Sequence, residues 1–365
     1  MKKKDLPILL QTLLLYFIII YGLQSNRVPS LSSLMQETGK LWIAQLQTHY
    51  GLTFKDSNAM AKVLPLYRAS EGLNMFVDPA RIRYSPDNGL VDLQATWNVE
   101  LDATGRIGRR KGFGQLQAGN FHSLFSMGRY AVGVEIVGSD AELVAVDKLG
   151  ATDLVRSLVY PNRMGYVRDG DRLYYSNGFE NGYVEEMVDN AWVAGSYTGR
   201  DTTKTVSNPP AGQLMEIAFG RMWIAKDDAV YHSEPYAYNW FDLARCVIPF
   251  HSKVTLLRAV QDGLYISDTA RIYFAQGTEP SAMQLITVAD YPAVLHAVAL
   301  DKVNGTRLGL QTNDQYLLIG TKKGLCAAGP RGEFVNLTEE KIEYPDVSRG
   351  SAVIRKENVL FLFED

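Results

Sequence analysis

The chain has 365 residues, 46% of them hydrophobic and 21% charged, with 37 basic against 40 acidic side chains and a formal net charge of −3. That balance excludes a disordered chain, a collagen, a coiled coil, a polytopic membrane protein and a domain held to nucleic acid by bulk positive charge. Two cysteines, Cys246 and Cys326, supply neither a disulfide framework nor a four-ligand zinc site by themselves.

The first predicted element is a hydrophobic segment over residues 1–27. Lys2, Lys3 and Lys4 precede a stretch from Leu6 to Asn26 without a charge, most of it apolar. About 18 apolar residues reach the lower limit for a helix crossing a hydrocarbon core, and the lysines would hold that end cytoplasmic. No small-x-small cleavage site and no lipobox cysteine follow. Two readings stay open: an uncleaved anchor, or a start placed too far upstream, with Met35, Met60 or Met75 as the true beginning. Residues 28–65 are polar and weakly periodic, with at most one short helix around Trp42, and read as a linker or adaptor.

From about Leu66 to Asp365 the texture is all-β: short aromatic and β-branched runs punctuated by Gly, Asn and Asp. An apolar strand, a Gly or Asp turn and a second apolar strand recur. Copies begin at Leu124, Gly165, Glu216 and Leu257, with weaker ones at Gly309 and Ala352. Taking Tyr130, Leu173, Met222, Leu264, Tyr316 and Val359 as equivalent, the spacings are 43, 49, 42, 52 and 43 residues. This period fits one four-stranded blade per repeat, and predicts a β-propeller of about six blades over residues 66–365. Ring closure requires a strand from ahead of the first repeat to pair with the last one. Thr96–Leu101, followed by the turn Asp102–Gly105, is the expected partner of the C-terminal strand Val359–Phe363.

Four cations, Arg106, Arg109, Arg110 and Lys111, fall within six positions. They are the candidate contact to DNA phosphates or to a neighbouring subunit, and no aromatic stacking platform is interleaved with them. His232-Ser233-Glu234-Pro235 has the residue types of a nucleophile, an acid and a base, but neighbouring strand residues point to opposite faces and do not converge. The five histidines show no metal-ligand spacing, and Gly320–Gly324 lacks that of a phosphate-binding loop. No catalytic residue, cofactor site or metal site is expected.

The run Asn98–Phe113, followed by His122-Ser123-Leu124-Phe125, resembles the opening of bacteriophage and prophage β-propeller virion proteins. Val230-Tyr231-His232-Ser233-Glu234-Pro235 is similar to that family's Tyr-x-Ser-Glu-Pro segment, and Gly263–Ile266 with Tyr273–Gly277 to its next blade. The resemblance implies a non-enzymatic virion protein of the tail or head-to-tail region, of the tail-nozzle or DNA-stabilising type. It would be made in the bacterial cytoplasm and form a homo-oligomeric ring with other virion proteins, in possible contact with packaged DNA. Residues 1–26 depart from that pattern. They leave a second expectation, a propeller anchored in the inner membrane that binds a protein or polysaccharide partner.

Overall fold

The computed structural model describes residues 73–76, 93, 99–101, 106–110, 114–195, 203–339, 341–342, 347–355 and 358–364. All belong to the second of two units into which the chain divides, between Leu66 and Tyr67. The hydrophobic segment, the linker with its short helix, and Lys111 lie outside the described residues. Among the described residues no helix is long and apolar enough to cross a membrane.

The fold is all-β. A small hairpin of β1 (Val99–Leu101) and β2 (Ile107–Arg109) comes first. Four antiparallel meanders follow, each in simple up-and-down order. The first is β3 (Phe121–Ser126), β4 (Tyr130–Val137), β5 (Asp140–Asp147) and β6 (Thr152–Leu158). The second is β7 (Gly165–Asp169), β8 (Arg172–Ser176), β9 (Asn181–Glu185) and β10 (Val188–Asn190). The third is β11 (Leu214–Ala218), β12 (Arg221–Lys226), β13 (Ala229–His232) and β14 (Val247–Pro249). The fourth is β15 (Leu256–Val260), β16 (Gly263–Ser267), β17 (Ile272–Gln276) and β18 (Gln284–Ala289). In the fifth sheet β19 (Ala293–Val298) is followed by the short β20 (Val303–Asn304), then β21 (Gln315–Thr321), β22 (Gly324–Ala328) and β23 (Phe334–Asn336). The hairpin β24 (Arg349–Arg355) and β25 (Asn358–Glu364) joins this sheet through one parallel bridge, Leu295 to Arg349.

Each residue aligned at the sequence level lies in the strand paired with the first strand of its group: Tyr130 in β4, Leu173 in β8, Met222 in β12, Leu264 in β16, Tyr316 in β21 and Val359 in β25. Side chains alternate across a strand, so a strand apolar at successive positions must be covered on both faces. The core clusters show what covers them. Leu173 and Tyr175 pack back onto Val132 and Leu143 of the first meander, while Tyr174 between them packs forward with Met222 and Ile224 of the third. Trp223, the residue between those two, packs forward with Leu264 and Ile266 of the fourth. Tyr265 in turn packs forward with Leu317 and Ile319 of the fifth, and Tyr316 and Leu318 with Ala352 and Phe361 of the last hairpin. Period-2 alternation therefore stacks each sheet between its predecessor and its successor, in the manner of propeller blades.

Polar ties reinforce the joints. Tyr265 Oη donates to the carbonyls of Gly329 (2.7 Å) and Glu333 (2.8 Å) in the next sheet. Arg258 on β15 pairs with Glu216 on β11 at 2.6 Å, both side chains largely buried. A turn repeats between second and third strands. Asn177 Oδ1 accepts from the N–H groups of Phe179 and Glu180, and Asp268 Oδ1 accepts from those of Ala270 and Arg271. Gly165, which opens β7, is needed where the second meander meets the third: a Cβ would collide with the backbone carbonyl of Gln213, just ahead of β11. Gly165→Ala is expected to cost about 1–3 kcal/mol, the usual effect of overpacking against a backbone that must shift. Urea denaturation checks it, an unchanged midpoint being the contrary result.

Two sequence expectations need correction. β1 takes β2 as its partner, with Val99 opposite Arg109, and β25 pairs with β24, so the described strands do not show Thr96–Leu101 on the C-terminal strand. These local hairpins occupy one edge of β1 and one edge of β25. The fifth copy was also misplaced at its start. Its first strand is β19, and Gly309–Asn313, expected to begin a strand, form irregular chain between the 3₁₀ turn Gly305–Leu308 and β21.

Candidate functional site

The starts of the first strands surround a cavity of about 760 Å³. It is continuous in its lining with a second of about 940 Å³, since His122, Arg163, Gln213, Leu214 and His296 line both. The second runs between first strands and reaches the gap between β3 and the β24–β25 hairpin, where Leu124, Val353 and Leu362 are exposed. Among the described residues no buried cluster bridges that gap.

The mouth of the first cavity is basic. Arg163 precedes β7, Lys253 precedes β15, Arg349 opens β24 and Lys226 ends β12, and among the described residues Asp227 is the one carboxylate on the wall. Arg163 Nη1 also donates to the carbonyl of Gly350 on β24, at 3.3 Å. Among the described residues Lys226, Lys253 and Arg349 enter no ion pair.

Two first strands are bulged at this mouth. Ser123 in β3 has φ 53° and His296 in β19 has φ 64°, each within a break in the pairing register. A bulge turns a side chain out of the regular alternation. Ser123 Oγ accepts the N–H of Met164 at 2.9 Å, tying the first two meanders, and His122 Nδ1 lies 2.9 Å from the same oxygen. His296 stands among the cations. Burial is the largest cause lowering its pKa, followed by Arg163, Arg258, Arg349 and Lys253, and the value falls to about 4. Gln213 Oε1 on the same wall is buried with no hydrogen-bond partner.

The sequence-level candidates lie elsewhere. Arg106, Arg109 and Arg110 are exposed at and beside β2, outside the cavity lining, and Lys111 is not described. Ser233 is committed to a corner: its Oγ accepts the N–H of Met222 at 3.0 Å and donates to the Glu234 carbonyl at 2.9 Å. Glu234 pairs with Lys204 at 2.6 Å, and His232, buried beside Trp223, has a lowered pKa because of its burial. Both cysteines are buried thiols whose pKa is raised by burial. Among the described residues no group of three His, Cys, Asp or Glu is placed to hold a metal. The basic mouth went unread because its members come from five separate places in the chain. The available signal was their shared position at the strand starts and ends of successive repeats.

No family model matches this chain, and no curated protein matches it. Solved structures do show likenesses. One is the extracellular domain of BT4673 from B. thetaiotaomicron, at 12% identity and TM-score 0.43, covering 67% of this chain and 31% of that one. A second is XC5397 from Xanthomonas campestris, described as a gluconolactonase, at 13% identity and TM-score 0.41, covering 68% and 88%. A third is the WD40 β-propeller domain of Doa1, at 10% identity and TM-score 0.40, covering 65% and 73%. The chain thus spans about a third of the length of the first.

Proposed function

We propose that the chain is a non-enzymatic structural protein of a phage or prophage virion, placed in the tail or head-to-tail region, whose propeller of about six blades is a rigid module for ring assembly. The observation that carries this reading is the use made of the segment similar to the virion family. Ser233 and Glu234 are spent on holding β12, β13 and the Lys204 segment together, through the Met222 N–H and the Lys204 ammonium. Side chains tied into the framework in this way support a structural reading of that segment. In this reading the sixth blade is β24–β25 completed by chain preceding β3. The exposed Arg106, Arg109 and Arg110, with Lys111, meet a neighbouring subunit or packaged DNA.

A second reading is favoured by the charge-free stretch Leu6–Asn26: a propeller anchored in the inner membrane that binds a protein or polysaccharide partner. Mass spectrometry on density-purified particles induced from the source strain, run beside the membrane fraction, separates the two. The expected result is stoichiometric propeller peptides in the particles. Recovery from membranes alone, with peptides from before Val28, overturns the virion reading in favour of the anchored one.

A further inference from the structure

We infer that the basic mouth is a binding site for a compact oxyanion bearing at least two negative charges, such as a di- or tricarboxylate or a small phosphate compound. Four cationic residues from the second, third, fourth and last strand groups line one cavity, against a single carboxylate among the described residues. Like charges gathered in a concave site repel one another and focus a positive potential, so the arrangement is relieved by an anion. Lys226, Lys253 and Arg349 have no carboxylate partner of their own among the described residues.

His296 lies on the same wall as these cations. Beyond its burial, every further cause lowering its pKa is a cation, Arg163, Arg258, Arg349 or Lys253. Arg258 is already neutralised by Glu216, which leaves Lys226, Lys253 and Arg349 to meet a ligand. The volume of about 760 Å³ lies within the range of small-molecule sites. None of this depends on virion membership, and the test below uses only the purified full chain.

Citrate, with three carboxylates and one hydroxyl, is the probe, titrated calorimetrically into the 365-residue protein at pH 7.5. Expected are one citrate per chain, weakening as salt rises, and acetate binding at least tenfold less well. Lys253→Gln with Arg349→Gln should weaken citrate at least tenfold, while Lys253→Arg alone leaves it within about twofold. Should the double variant not fold, Lys253→Gln alone, at an exposed position, gives the same comparison. In a proton NMR titration citrate should also raise the midpoint of His296, with Arg163, Lys253, Arg258, Arg349, His122 and Asp227 as the charged and titratable groups around it. Absence of citrate binding, acetate binding as tightly as citrate, or affinity unchanged in the glutamine variants would each overturn the site.

Discussion

Trp223→Ala is expected to remove about 3–5 kcal/mol of folding stability, the range for truncating a fully buried large aromatic. Trp223 is 0% exposed on β12 and packs with Val230 of its own sheet and Leu257, Leu264 and Ile266 of the next. Its Nε1 donates to the carbonyl of Ala218 at 3.1 Å. The alanine variant would therefore open a cavity at the joint between the third and fourth meanders and leave a buried carbonyl without its donor. A loss of that size is a large fraction of the roughly 5–15 kcal/mol that holds a typical domain. Urea denaturation provides the measurement, with Leu149→Ala as the control. Leu149 is 88% exposed, and its truncation should stay within about 0.5 kcal/mol. If the two variants shift the midpoint equally, the joint is not where the stability of this region lies.

The second large effect is a pH dependence. The folded-state pKa of His296, about 4, lies below its ordinary value of 6.5, because burial and the surrounding cations Arg163, Arg258, Arg349 and Lys253 disfavour the imidazolium. His122 and Asp227 share the same cavity. Above about pH 6.5 both the folded and unfolded chains hold this histidine neutral. As the pH falls from there toward 4, the unfolded chain takes up the proton first and stability is lost; below 4 this group contributes no further loss. The difference in pKa corresponds to about 3 kcal/mol across that window. Asn tolerates the left-handed backbone that His296 adopts, so His296→Asn removes the titration without forcing a new conformation. Chemical denaturation at pH 8 and at pH 4 should show wild type losing about 3 kcal/mol more than the variant. Equal losses would mean that the imidazole is not held neutral by its surroundings.

Both predictions act on residues that the sequence presents very differently. Trp223 sits in a recurring apolar phrase, beside Met222, one of the aligned positions, and its burial follows from the period. His296 does not. It lies in β19, which is separated from its partner β21 by β20 and a 3₁₀ turn rather than by a tight turn. A search for strand-turn-strand phrases finds local hairpins and passes over a pair joined by a long connection. At β1 the described partner is the local strand β2, across the turn that the sequence places after Leu101.

What the sequence determined by itself is the all-β class and the positions of the strands paired with the first of each group, from Tyr130 to Val359, since alternation and turn residues are local properties. The order of stacking was implicit in the same strands, whose successive apolar residues had to be covered on both faces. Only the tertiary structure decided that Arg163, Lys226, Lys253, His296 and Arg349 share one mouth. Each is unremarkable among its neighbours in the chain. They meet because the first strands of successive sheets begin at the same end of the assembly, and because a bulge at His296 departs from an alternation that sequence patterning can only assume to be regular.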